Sequence, residues 1–416
     1  MSVSARLKTL QKCNNSVIPS LSNIYYCENM LAQITTDKLL NRLEHIDQGR
    51  LTLTTPDGKS RTFEGKNPGE DANIQLHDWR VVTNMMRRGD IGFAEDYRAG
   101  NWETDNLTAL TTLGLINRRA LDRFVTGSTA SRTLSMLSYL LRLNTLKGSK
   151  KNIHAHYDLG NEFYKLWLDP SMTYSAAIYE SEDDSLIKAQ HNKYDRIINC
   201  LEQNSGSILE IGCGWGGFAE RALEKGDYRV KGITLSEEQH EYANLRLENN
   251  ADIALQDYRH QSGRFNNIVS IEMFEAVGER YWPTYFSKVK ELLAHDGKAV
   301  IQSITMNEKD FPRYRKGGDF IRSYIFPGGM LPSVARFNEE ASKAGLIASN
   351  HFSFGQDYAK TLEEWLVRFE AQKKQVKALG FDDGFIRLWR FYLAACIAGF
   401  RTGRTDVMQV ELSHVK

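Results

Sequence analysis

The residues with the greatest chemical capacity cluster at a run of glycines. Glu210-Ile211-Gly212-Cys213-Gly214-Trp215-Gly216-Gly217 follows directly on the apolar residues Ile208 and Leu209. A bare backbone here lets a ligand lie against the main chain, where a Cβ would collide with it. The helical pattern that begins at Ala219 turns unpaired N–H groups toward a carboxylate or phosphate. The spacing is not a clean G-x-G-x-x-G, and the Lys-Ser/Thr of a P-loop is missing. Further polar side chains follow downstream: Thr234, Ser236, Gln239, Asp257, Glu272, Glu275 and Gln302, with Tyr174, Tyr324, Phe326 and Tyr358 as aromatic partners.

Several elements must bring these residues together. Short apolar runs over 207–211, 228–234, 253–258, 267–272 and 298–304 read as strands, and they alternate with helical stretches. That alternation predicts an α/β fold with a doubly wound, largely parallel sheet. In such sheets ligands bind beyond the carboxyl ends of the strands, where Cys213, Thr234, Asp257, Glu272, Glu275 and Gln302 fall. An Asp or Glu often ends the second strand and holds ribose hydroxyls. Here Thr234, Ser236 and above all Gln239 offer neutral hydrogen bonds instead, and Asp257 is placed to meet an adenine amine. A helix is expected over 185–201. Asp169 to Ser175 reads as a loop with a helix cap. The helical stretches 362–369 and 385–400 carry Trp365, Trp389, Phe391 and Tyr392 and read as core or as a dimer surface.

The first 126 residues read as a smaller α+β domain. Helical spacing runs to about residue 48. Arg50–Thr54 and Ser60–Phe63 alternate around Pro56-Asp57-Gly58, which predicts a β-hairpin. Asn73–His77 reads as a third strand, and 79–87 and 106–124 as helices. His77 and Asp78 read as a satisfied surface pair. A small, polar boundary at 127–131 opens a linker, 127–151, whose leucines 134–143 are flanked by Arg132, Arg142, Lys147, Lys150 and Lys151. This helix either packs between domains or rests on anionic lipid. The second domain then spans 152–416. His154 and His156 have no third ligand at a useful spacing, so no metal site is expected.

Composition narrows the function further. The 416 residues have room for two or three domains, and a net charge of +1 argues against general nucleic-acid binding. Five scattered cysteines fit reduced thiols in the cytosol. No apolar leader and no bilayer-length apolar run stand out, so a cytoplasmic protein, at most peripheral to a membrane, is expected.

The Glu210-x-Gly212-x-Gly214 loop after a strand resembles that of class I S-adenosylmethionine methyltransferases. A longer series resembles the cyclopropane-fatty-acid synthase family: 156–161 (His-Tyr-Asp-Leu-Gly-Asn), 209–216, 232–236 (Gly-Ile-Thr-Leu-Ser), 274–278 (Phe-Glu-Ala-Val-Gly) and 324–329 (Tyr-Ile-Phe-Pro-Gly-Gly), in that order. The likeness runs from about residue 150 to near 405 and extends more weakly to the N-terminal domain. It implies transfer of a methyl from S-adenosylmethionine to a cis double bond of a phospholipid acyl chain at the inner membrane surface, with ring closure. It implies a cofactor site of Tyr157, Ser175, Glu210, Gly212, Gly214, Gly216, Thr234, Ser236, Gln239, Asp257 and Tyr258. Tyr324, Phe326, Gly328 and Gly329 would meet the acyl chain, and a homodimer is implied through the N-terminal domain.

Family members are thought to use a bound bicarbonate as the base, which the resemblance assigns to Ala176, Glu275, Gln302, Ile304 and Tyr358. Three positions depart from the family. Ala176 stands where a Cys usually follows Tyr-Ser, Ala276 where a His follows Phe-Glu, and Gln302 where a His lies on the fifth strand. Ala276 and Gln302 also look like the plant branch, which still makes rings. An amide can donate to an anion, and so can the backbone N–H of Ala176. The departures bear on the base more than on methyl transfer. The rival expectation is therefore a C-methyltransferase that leaves a methyl-branched or methylene chain. A lipid-binding protein on an inactive methyltransferase fold is a third, opposed by the intact glycine loop, Gln239 and Glu275.

Overall fold

The computed structural model describes residues 35–122, 124, 127–128, 145, 159–201 and 203–415. Most of the first expected helix, the leucine-rich linker helix, His154, His156 and Tyr157 lie outside the described residues. The chain divides into two compact units, one reaching Thr133 and the other beginning at Leu134.

In the first unit, β1 (Gln48–Thr54) pairs antiparallel with β2 (Ser60–Glu64), Thr54 opposite Ser60. This is the predicted hairpin, and Thr52 and Thr62 hydrogen-bond across it at 3.1 Å. β3 (Asn67–Leu76) starts six residues earlier than alternation suggested and runs parallel to β1. α1 (Arg80–Arg88) and α2 (Asp90–Arg98) follow, then β4 (Trp102–Glu103) and α3 (Leu107–Ile116). The helix expected over 106–124 thus ends at Ile116, and Asn117 explains the stop. Its Oδ1 accepts from the N–H groups of Asp47 and Gln48 at 2.7 and 3.1 Å, while its Nδ2 donates to Gln48 O at 2.8 Å. His77 and Asp78 are surface groups beside Glu103 and Arg80, as expected.

The second unit is built on a seven-stranded sheet. Its strands are β5 (Ser205–Ile211), β6 (Asp227–Thr234), β7 (Asp252–Leu255), β8 (Phe265–Ile271), β9 (Leu293–Met306), β10 (Leu346–Ser353) and β11 (Thr405–His414). Their order in space is β10-β11-β9-β8-β5-β6-β7. The five strands from β7 to β9 run parallel, whereas β11 is antiparallel to β9 and β10 to β11. Alternation had not revealed β10 and β11. β7 stops at Leu255, two residues short of Asp257, which instead caps a short 3-10 turn by accepting from Arg259 N–H. Chain order reverses between β5 and β8, and this is where a doubly wound sheet opens its ligand crevice.

Helices cover both faces of the sheet. On one lie α5 (Leu186–Asn199), α6 (Gly217–Lys225) and α7 (Glu237–Leu247), with Tyr194, Ile197, Phe218, Ala222 and Leu247 buried against Ile208 and Val230. On the other, α8 (Trp282–Leu292) and α10 (Val334–Lys343) bury Phe286 and Phe337 with Phe274. Between these two in chain order comes the short α9 (Phe311–Arg315). α11 (Gly355–Ala371), α12 (Lys373–Ala378) and α13 (Asp383–Arg401) stand before β11, and α4 (Asn161–Lys165) precedes α5. Trp365 and Trp389 are buried, so these helices contribute core.

Phe286 touches Phe274 and Phe337 at ring-centroid distances of 5.3 and 4.9 Å and has no exposed surface. Phe286→Ala is expected to destabilise the second unit by about 3–5 kcal/mol, read as a lower urea midpoint.

Candidate active site

The glycine loop leaves the end of β5 with Gly212, Gly214 and Gly216 at φ of 83°, 53° and 85°. These left-handed values favour glycine. A Cβ on Gly212 would lie 2.7 Å from Met273 Cγ, so the loop presses on the segment after β8. A Cβ on Gly214 would meet nothing within 4 Å. Space beside bare backbone at a helix start is what a cofactor cradle requires. Two contacts fix the loop from outside. Trp215 Nε1 donates to Asn161 Oδ1 at 2.6 Å, and Asn161 N–H donates to Glu238 Oε2 at 3.0 Å.

Glu210 lies under this loop with 2% of its surface exposed. Its Oε2 has no hydrogen-bond partner among the described residues. Burial drives the carboxyl well above its ordinary pKa, with the Lys193 charge opposing. An orphaned carboxylate oxygen under an open glycine loop fits a cationic or hydrogen-bond-donating ligand. Thr234 Oγ1 donates to Gln239 Oε1 at 2.8 Å, so Gln239 has its amide N–H groups for a ligand. Ser236 caps α7 by accepting from Gln239 N–H. Asp257 is held by Arg259, whose Nε donates to Oδ1 at 2.8 Å. Tyr258 leans edge-on against Tyr285 at 5.6 Å.

A second group of residues gathers beyond the ends of β8 and β9. The register sets Ile271 opposite Gln302, and so brings the next residue, Glu272, beside the Gln302 side chain. Glu272 Oε1 accepts from Gln302 Nε2 at 2.7 Å and from Ala176 N–H at 2.8 Å. Glu272 Oε2 accepts from Tyr358 Oη at 2.6 Å. Glu272 is partly exposed, while Gln302 is fully buried and Tyr358 nearly so. Its backbone sits at φ 51°, a left-handed conformation that a Glu adopts at a cost. Glu275 accepts from Ile304 N–H, and its Oε2 is without a partner among the described residues.

Neighbours fix the protonation and orientation of this group. Arg196 has only donors, so its contact with Gln409 Oε1 at 2.8 Å fixes that amide. Gln409 Nε2 then donates to Gln302 Oε1 at 2.9 Å, and this aims the Gln302 amide N–H at Glu272. Lys193 is fully buried; its Nζ donates to Ser175 Oγ at 2.7 Å and lies 4.0 Å from the Tyr194 ring centre. Burial lowers the Lys193 pKa to about 7, opposed by the charges of Glu272, Asp169 and Glu210. Gln190 Nε2 donates to Ser175 O at 2.9 Å, so α5 straps the Ser175–Ala176 loop from two side chains. Burial raises Glu272, with its three donors opposing. Burial and then the Glu272 charge push Glu275 up to about 8. Of the two acids, Glu272 is held by three donors and Glu275 by one, so the surroundings favour the carboxylate form more at Glu272 than at Glu275.

Aromatic rings form one side. Tyr174 Oη and Tyr392 Oη hydrogen-bond at 2.7 Å, Tyr174 packs on Trp365 at 5.3 Å, and Tyr358 on Phe400 at 4.5 Å. Phe326 meets Tyr392 at 6.1 Å. Residues Ile321–Ile325 form a π-helical turn, a form common at functional sites. Tyr324 on it is 37% exposed. Gly328 has φ 80°, and beyond Gly329 the N–H of Met330 donates to Glu275 O at 2.9 Å, tying this segment to the acidic pair.

The structure joins Ala176, Gln302 and Tyr358 around Glu272, and Ile304 with Glu275, whereas the resemblance assigned Ala176, Glu275, Gln302, Ile304 and Tyr358 together to one bound base. Tyr157 lies outside the described residues. Sequence reasoning placed Glu272 at a strand end but gave it no role, and it missed Lys193, Gln190, Arg196 and Gln409. The Glu272-x-x-Glu275 spacing after a strand was the available signal. Gln409 carried none, because β11 itself was not anticipated.

Fold and cradle together define a class I methyltransferase. The profile of the mycolic acid cyclopropane synthetase family matches residues 144–410, and the chain belongs to that family of S-adenosylmethionine-dependent methyltransferases. It is 36% identical over 350 residues to the tuberculostearic acid methyltransferase of Mycobacterium tuberculosis, covering 79% of this chain and 80% of that protein. It is 33% identical over 356 residues to the cyclopropane-fatty-acyl-phospholipid synthase of Escherichia coli K12, covering 85% and 91%. A solved structure of the mycolic acid cyclopropane synthase CmaA1 complexed with SAH and CTAB matches with a TM-score of 0.60 at 34% identity, over 63% of this chain and 97% of that one.

Two expectations follow. Gly214→Val fills the open side of the loop and is expected to weaken S-adenosylhomocysteine binding by more than about tenfold, or about 1.4 kcal/mol, in calorimetry, with the far-ultraviolet dichroism retained. Glu275 has a folded pKa of about 8 against an ordinary 4.5, so the unfolded chain loses this proton first and stability falls as pH rises between those values. Glu275→Gln keeps the acceptor for Ile304 and removes that penalty. Its advantage over the parent is expected to grow from none at pH 4.5 to about 2–3 kcal/mol at pH 8 in urea unfolding, below the full shift because Glu275 keeps some exposure.

Proposed function

We propose that this chain transfers a methyl group from S-adenosylmethionine to a cis double bond in a phospholipid acyl chain and closes the product to a cyclopropane. The observation that carries this is the Glu272 carboxyl beyond the ends of β8 and β9, held by three donors, edged by aromatic rings and followed by Met273, which packs against Gly212 of the glycine loop. The names of its relatives support a lipid methyltransferase, and CTAB in the CmaA1 structure is itself a long-chain amphiphile.

Glu210, the glycine loop and Gln239 hold and orient the cofactor. S-adenosylmethionine, when bound, supplies an electrophilic methyl on a sulfonium sulfur. An alkene is a poor nucleophile, so fixing both partners in line supplies several kcal/mol of the barrier. The alkene π pair forms the new carbon–carbon bond and leaves a cation on the neighbouring carbon. The faces of Tyr174 and Tyr358 stabilise positive charge without forming a bond to it. A base then takes a proton from the added methyl, and the released C–H pair closes the ring.

Among the described residues no helix is long and apolar enough to cross a membrane. The lipid is taken from a membrane surface by way of the segment that carries Tyr324 and Phe326, on which Tyr324 is exposed. The identity to tuberculostearic acid methyltransferase favours a second product, a methyl-branched chain without a ring.

The test uses purified protein, S-adenosylmethionine and vesicles of cis-unsaturated phospholipid, with proton NMR of the released fatty acids. Upfield cyclopropane methylene signals are expected. Vinyl or branched-methyl signals overturn ring closure in favour of the second product, and the absence of any new carbon overturns lipid methylation.

A further inference from the structure

The five positions that the family resemblance assigns to a bicarbonate are not available for one. The Ala176 N–H, the Gln302 amide and the Tyr358 hydroxyl all donate to Glu272, and Ile304 N–H donates to Glu275. A second anion would find these donors engaged and two carboxyl groups beside it. Like charges in a site of low dielectric are strongly unfavourable. The residues present do not fit bicarbonate. They fit one carboxylate, and the chain supplies it.

We propose that Glu272 is the catalytic base and that its Oε2 removes the proton from the added methyl, so that the reaction needs no bicarbonate. This assignment rests on the ring-forming function proposed above. Oε1 is occupied by two N–H donors, whereas among the described residues Oε2 accepts only from Tyr358 and has a lone pair to spare. Glu272 is partly exposed although Gln302 and Lys193 are fully buried, so this residue is not sealed within the core. The fold holds it there by force of geometry. The backbone at Glu272 holds a left-handed φ of 51°, and the Gln302–Gln409–Arg196 chain holds the amide that donates to its carboxyl. Burial raises its pKa, which makes it a stronger base than an exposed carboxylate. In the step itself the methyl C–H bond breaks and its pair closes the three-membered ring. The proton passes to Oε2, leaving neutral Glu272 to be deprotonated by solvent after the product leaves.

The test compares the parent with Glu272→Gly and Glu272→Gln in carbon-dioxide-free buffer, with and without added bicarbonate or formate, on the vesicles described above. Glycine suits the left-handed backbone, so Glu272→Gly removes the carboxylate without strain and vacates its seat. The parent is expected to form rings at the same rate with or without bicarbonate. Glu272→Gly is expected to lose at least about a hundredfold in rate and to recover more than about tenfold when bicarbonate or formate enters the vacated seat. Glu272→Gln is expected to be as slow and not to recover, because its amide fills the space. All three are expected to bind S-adenosylhomocysteine alike in calorimetry, which reports that the fold is intact. A parent that depends on added bicarbonate, or a Glu272→Gly as fast as the parent without it, overturns the assignment and leaves ring formation standing. A parent that forms no ring under any of these conditions overturns ring formation, and the assignment with it.

Discussion

A carboxylate taken out of water loses far more than one hydrogen bond returns, and Glu272 recovers that loss from three donors spread over the second unit. One comes from the loop before α5, one from β9 and one from α11. None of these can move far without leaving a charge unpaired. The β8–β9 register, the docking of α11 and the course of the Ser175–Ala176 loop are thereby fixed against one another. Lys193 adds the opposite charge from beneath and straps the same loop through Ser175. The polar centre thus specifies a geometry that apolar packing alone would leave loose.

The same lysine links the two functional halves. Its charge acts on Glu210 under the glycine loop and on Glu272 beyond β8. Met273, the next residue, packs against Gly212. The cofactor cradle and the acidic site therefore share one counter-charge and one stretch of backbone, as expected where chain order reverses in a doubly wound sheet. A group held in the cradle lies within the electrostatic reach of both acids.

The parallel part of the sheet was legible because buried strands are short apolar runs and the intervening helices repeat at their own period. The glycine loop was legible because its function is a backbone function, written in residues without side chains. The hairpin around Pro56-Asp57-Gly58 declared itself through turn chemistry. What escaped was long-range. β11 is half polar in sequence, and its place beside β9 depends on a pairing between residues 107 apart, such as Gln302 with Gln409. Lys193 reads in sequence as one more charge on a helix, and only packing shows that it is buried. Glu272 stood at a strand end in plain view, but its three donors come from positions 96, 30 and 86 residues away. No local pattern encodes such a set.

The amide chain Arg196–Gln409–Gln302 has one further property. An imidazole at position 302 would exchange its donor for an acceptor, or gain a charge, within the physiological range. A primary amide has no proton to gain or lose there, and a guanidinium stays charged throughout. The support offered to Glu272 from the β9 side is therefore the same in acid and in alkali. Titration enters this centre through Glu272, Glu275 and Lys193, and the part of the scaffold that reaches Glu272 from β9 is blind to pH.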